Sequence, residues 1–147
     1  MRTDTGAVPT LVIKRHVAAT PREVFELWTE PELMAPWMSP YPGPVDCEAE
    51  ADVRVGGAYS LKMGSGESQC EIEGTYVDVD PPNRLVFTWS GPPTRNAKTL
   101  VTLELSDAPG GTDLVLTHER LPTPDVRQGH EIGWGNFLDH LADALGG

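Results

Sequence analysis

The chain has 147 residues, a length that suits one domain and can bury a core without cross-links. Its 22 Asp and Glu residues against 11 Lys and Arg leave a net charge of −11, which repels phosphate backbones and anionic lipid and argues against nucleic-acid and membrane partners. No apolar run approaches the roughly 20 residues of a membrane span, and the opening MRTDTGAVPT has no signal-peptide core, so the expected compartment is the cytosol.

Residues 1–9 read as a flexible tail of a single domain covering 1–147. LVIKRHV, from Leu11 to Val17, is a strand candidate, with Lys14 and His16 expected at the surface. In ATPREVFELW, Thr20 is suited to cap a helix, Pro21 to its first position and Glu23 to completing a capping box. Val24, Phe25, Leu27 and Trp28 then form an apolar stripe at helical spacing. TEPELMAPW repeats the device, with Thr29 and Glu32 as the box, Leu33, Met34 and Trp37 as the stripe, and Pro36 as the stop.

From Val45 the period changes to two. VDCEAEADVRV, YSLKM, QCEIEGTYVDV, RLVFTWS, TLVTLELS and TDLVLTHER are short strands. GG at 56–57, GSG at 64–66, DPPN at 80–83 and APGG at 108–111 are turn signals, so consecutive strands are predicted to form an antiparallel meander. LPTP ends the pattern, and from Asp125 the chain reads as one helix. There Trp134, Leu138, Leu141 and Leu145 recur at i, i+4, i+7 and i+11, with Phe137 widening the apolar face.

The helix contains HEIGWGNFLDHL, whose His-Glu-x-x opening lacks the second histidine of the zinc-protease pattern; Trp134 stands there instead. His130 and His140 are ten residues apart, roughly 15 Å along a continuous helix, and cannot share a metal. The expectation is an exposed His130 beside a solvated Glu131, with no metal and no cofactor. Cys47 and Cys70 lie in no C-x-x-C and are read as reduced, unpaired thiols. Glu48, Glu50, Glu71 and Glu73 alternate as a solvated sheet face. Gly56 and Gly57 precede a strand, so no phosphate loop is indicated. Ser60, Ser65 and Ser68 lie in or beside strands and belong to no nucleophile elbow.

The order of strand, two short helices, six strands and a long helix resembles the helix-grip fold of the START and birch-pollen-allergen-like superfamily. TPREVFELWTEPELMAPW, GGAYSLKM, GTYVDVDPPNRLVFTW, GTDLVLTHE and GWGNFLDHLADAL are similar to its branch named for the activator of the heat-shock-protein ATPase. The resemblance implies an α+β domain in which a curved antiparallel sheet of six or seven strands grips the C-terminal helix around a cavity. It places the mouth near Trp37 and Met38, where a tryptophan would offer area and one N–H.

Alternation assigns Tyr59, Leu61 and Met63 to the inner face, with Leu85, Phe87 and Trp89, with Val101, Leu103 and Leu105, and with Leu114, Leu116 and His118. The candidate ligand-binding residues are Trp37, Met38, Tyr59, Leu61, Phe87, Trp89, His118, Trp134 and Leu138, and no residue is singled out as catalytic. The leading functional expectation is a monomer or homodimer that binds a small hydrophobic or amphipathic molecule. Two others stand beside it. One is a cyclase- or hydrolase-like enzyme using His118; the other is a chaperone-ATPase partner, weakened because only one of the eukaryotic activator's two domains is matched.

Overall fold

The computed structural model describes residues 10–64 and 69–145; the expected tail at 1–9, together with Ser65 and Ser68, lies outside them. Strand β1 (Leu11–Val17) leads into helix α1 (Pro21–Thr29) and the single-turn α2 (Pro31–Met34). Six strands follow: β2 (Cys47–Ala51), β3 (Ala58–Met63), β4 (Cys70–Asp80), β5 (Arg84–Trp89), β6 (Thr99–Ala108) and β7 (Gly111–Glu119). A 3-10 turn at Pro92–Thr94 separates β5 from β6, and α3 (Pro124–Ala144) closes the domain.

The seven strands form one sheet in the order β1-β7-β6-β5-β4-β3-β2, every neighbouring pair antiparallel. This is the predicted meander from β2 to β7, with β1 returning to pair beside β7. Gly74 sits where β4 passes close to Thr88 of β5: a Cβ there would collide with the Thr88 carbonyl, so only glycine permits that approach.

Local chemistry explains the helices. The Thr20 side chain accepts from the Glu23 amide while the Glu23 carboxylate accepts from the Thr20 amide, and Pro21 occupies the first turn. The side chain of Thr123 caps α3 by accepting from the Val126 amide. Thr29 departs from its expected role. It is the last residue of α1, its hydroxyl donates to the Phe25 carbonyl, and α2 starts from Glu30 without a side-chain cap. With only one turn, α2 cannot bury both of its large residues: Met34 is buried and Leu33 is 38% exposed.

The inner face of the sheet carries the predicted alternating sets, all buried, while Glu48, Glu50, Glu71 and Glu73 face solvent. His16 is exposed and pairs with Asp113. Helix α3 covers the inner face with Val126, His130, Trp134, Phe137, Leu138 and Leu141. Met63 pairs with Cys47 on one side and Cys70 on the other, so the two thiols stand two strands apart and both are free.

Candidate functional site

All four tryptophans belong to one ring cluster beneath α3. Trp37 packs edge-on to Trp28 at 4.9 Å, Trp28 lies 6.0 Å from Trp134, and Trp134 lies 4.9 Å from Trp89. Phe137 touches Trp37, Trp89 and Trp134. Trp134 is therefore the link between the short helices and the sheet, as its place on the α3 stripe requires.

The cluster fixes the protonation of His118. Trp134 Nε1 donates to His118 Nδ1 at 3.0 Å, so Nδ1 is the accepting nitrogen. On the other side His118 Nε2 lies 2.7 Å from Thr99 Oγ1, whose hydroxyl hydrogen goes to the Trp89 carbonyl at 2.6 Å. The Thr99 oxygen must then accept from Nε2–H. The result is a directed chain from the Trp134 indole through His118 and Thr99 to the Trp89 backbone, complete at every link. Burial, helped by the nearby His130, pushes the His118 pKa down to about 3, so the ring is neutral at physiological pH.

His130 corrects the expectation of an exposed side chain. It is 8% exposed, its ring stands edge-on to His118 at 4.9 Å, and its Nδ1 lies 2.9 Å from the Val126 carbonyl. A carbonyl only accepts, so Nδ1 carries the proton and Nε2 presents a lone pair. Nε2 has no hydrogen-bond partner among the described residues. Burial lowers the His130 pKa against the raising effect of the Val126 bond. The residue was legible as part of the helix face: one step of four back from Trp134 reaches His130, and another reaches buried Val126. His140, a full ten residues on, binds the Tyr41 carbonyl at the surface instead. No group of three or more His, Cys, Asp or Glu capable of holding a metal occurs among the described residues.

A cavity of about 430 Å³ lies between the N-terminal half of α3 and the sheet. Met63, Cys70, Ile72 and Trp89 supply the sheet wall; Val126, His130, Trp134 and Phe137 supply the helix wall. Its rim is formed by Pro40 and Tyr41, by Pro92, Pro93 and Arg95 around the 3-10 turn, and by Asp125, Gly129, Ile132 and Gly133. The lining is mostly apolar. His130 Nε2 and Trp89 Nε1, without partners among the described residues, are buried within the cavity's walls and not open to its space. A second void deeper in, about 10 Å³, has room for about one water at most.

Of the residues singled out from the sequence, Trp89 and Trp134 line the large cavity. Met38, Tyr59, Leu61 and Phe87 line the small void and not the large cavity. His118 and Leu138 are buried but line neither. Trp37 is not at a mouth: it is fully buried and its indole N–H is donated to the Leu27 carbonyl at 2.9 Å. The real rim uses segments with no periodic signal, the 3-10 turn above all. Ile72 and Cys70 could have been found, because they alternate with the solvated Glu71 and Glu73.

Residues 18–146 match the family described as Activator of Hsp90 ATPase homolog 1-like protein. Among solved structures, a protein from Chromobacterium violaceum is 26% identical, with a TM-score of 0.79 over 92% of this chain and 96% of its own. One from Nitrosomonas europaea is 27% identical, with a TM-score of 0.73 over 92% and 93%. One from Rhodobacter sphaeroides is 25% identical, with a TM-score of 0.79 over 93% and 92%. No curated protein matches the chain.

Proposed function

Since the chain belongs to the family of Activator of Hsp90 ATPase homolog 1-like proteins, a helix-grip fold that commonly holds ligands, we propose that it binds a small hydrophobic or amphipathic molecule between α3 and the sheet. The observation that carries this reading is the cavity of about 430 Å³, walled mostly by apolar side chains, with Arg95 and Asp125 at its rim. That combination of apolar walls and few fixed polar groups is how ligand pockets obtain both affinity and orientation. A depression of about 450 Å³ over Lys62, Glu71 and Glu73 is polar and belongs to the solvated face.

Catalysis by His118 is not favoured by its surroundings. Both ring nitrogens are engaged, and a general base needs a free lone pair within reach of substrate.

The test is a small-molecule screen by thermal shift on the wild type and on Gly129→Leu. Gly129 lies on the cavity rim, and a Cβ there would meet nothing within 4 Å, so leucine fits and obstructs the entrance. A ligand at 100 times its Kd adds about 2.7 kcal/mol of stability. The expected outcome is a shift in the wild type that Gly129→Leu abolishes without loss of folding. A shift that survives in the variant would move binding away from this cavity.

A further inference from the structure

The charges at the cavity's rim say what the exposed end of a ligand should carry. Among the described residues that line it, the acidic and basic ones are Arg95, which ends the 3-10 turn, and Asp125, in the first turn of α3. The two are not equivalent. Asp125 has a standing counter-charge in the helix itself, because the unbonded amides of a first turn carry partial positive charge. Arg95 is exposed, and its side chain makes no hydrogen bond or ion pair among the described residues. Its backbone is also costly: φ is 55°, a left-handed conformation that glycine or asparagine adopts more easily than a long side chain. The turn thus holds a cation at the rim, and the fold gains no contact from it in return.

Resting on the binding function proposed above, we propose that the cavity selects anionic amphiphiles, small apolar molecules bearing one carboxylate, which stays at the rim on Arg95 while the apolar body fills the space between α3 and the sheet. A guanidinium meets a carboxylate through two parallel N–H donors, so it orients the head as well as attracting it. The head stays at the mouth, in reach of water, so little desolvation opposes the pairing. The net charge of −11 repels anions at a distance, but physiological salt screens that field beyond about 8 Å, whereas Arg95 acts at contact. An ammonium head meets the reverse: Arg95 repels it, and the charge of Asp125 is already offset by the helix. A neutral head of equal shape gains from neither.

Three probes with one apolar body separate these cases: 2-naphthoate, 2-naphthamide and 2-naphthylmethylamine. Binding is read by calorimetry at pH 7.5 and low salt on the wild type, Arg95→Asn, Arg95→Lys and Arg95→Glu. Asparagine removes the charge and accepts a positive φ, so that variant keeps the turn. The wild type is expected to prefer the naphthoate over the naphthamide by about fivefold, the worth of one exposed ion pair, and to bind the amine weakest. Arg95→Asn should bring the naphthoate-to-naphthamide ratio to near one while the naphthamide binds as before. Arg95→Lys should keep part of the ratio, and Arg95→Glu should reverse the order of naphthoate and amine. Equal binding of all three by the wild type, or an amine bound best, overturns the selection but leaves the cavity as a binding site. A ratio unchanged in Arg95→Asn overturns the role of Arg95. If none of the three probes binds the wild type, the cavity reading falls and the selection with it.

Discussion

His118 lies in an environment far from that of water, and the departure is measurable as a pH dependence. Its native pKa is held near 3, against about 6.5 in an unfolded chain. Above pH 6.5 the ring is neutral in both states and costs nothing. As pH falls below 6.5 the unfolded chain takes up a proton that the native state refuses, until about pH 3. Stability should therefore be full above pH 6.5 and decline below it, with a slope of up to about 1.4 kcal/mol per pH unit from this group. His130, also lowered, adds to it in the same direction. The window from pH 6.5 to 5 isolates the histidines, because ordinary carboxylates are still largely ionised there. Denaturant unfolding across it should show a shallower slope for His118→Leu than for the wild type. At pH 7 that variant should be about 1–3 kcal/mol less stable, because it leaves the Trp134 N–H unpartnered. Matching slopes would mean that His118 is not the titrating group. Strand alternation with Leu114 and Leu116 was enough to put His118 inside. Its partners were not legible, because Thr99 and Trp134 come from another strand and from the helix, and no local pattern records which side chains meet.

Among the elements, the segment from α1 to the loop after α2 shows how a single side chain can substitute for length. α2 is one turn, far below what propensity can hold as a helix. Trp37, just beyond it, is fully buried, packs on Trp28 and Phe137, and ties its N–H to the last turn of α1 at Leu27. Trp37→Ala should cost roughly 3–5 kcal/mol, as much as Trp134→Ala, since both remove a wholly buried tryptophan. Trp37→Phe should lose less, keeping part of the packing but leaving the Leu27 carbonyl without its donor. Urea midpoints of the three variants give the comparison; a nearly neutral Trp37→Ala would place that ring outside the core. The Thr20–Glu23 capping box, the prolines and the period-two strands made these elements readable in the sequence, whereas the second box expected at Thr29 and Glu32 does not form. What misled was placing Trp37 at the mouth that the family resemblance implies rather than in the ring cluster it joins. His130 was likewise read from the neighbouring glutamate rather than from the four-residue step to Trp134.

At the scale of the whole molecule, strand order and register decide what the two cysteines can do. The meander was legible from the turn signals, and it places β3 between β2 and β4. The register is sharper than the topology: Cys47, Met63 and Cys70 lie in one row across the three strands. The position of the cavity was not legible at this scale, because its rim is assembled from the 3-10 turn, the loop after α2 and the start of α3. Two strand spacings of ~4.8 Å separate the thiols by about 9–10 Å, while a disulfide needs Cα atoms within about 7 Å. Both thiols should also be slow to react. Burial, with Asp46 and Glu48 nearby, raises the Cys47 pKa to about 11, and burial raises that of Cys70. The native protein, prepared without reductant, should react sluggishly with a thiol-specific dye at pH 7.5. Unfolded in guanidinium, again without reductant, it should release two thiols per chain at once. A count of zero in the unfolded chain would mean that the cysteines are bonded, which the Cys47–Met63–Cys70 row forbids without moving β3 out of the sheet, and the register of β2, β3 and β4 would have to be redrawn.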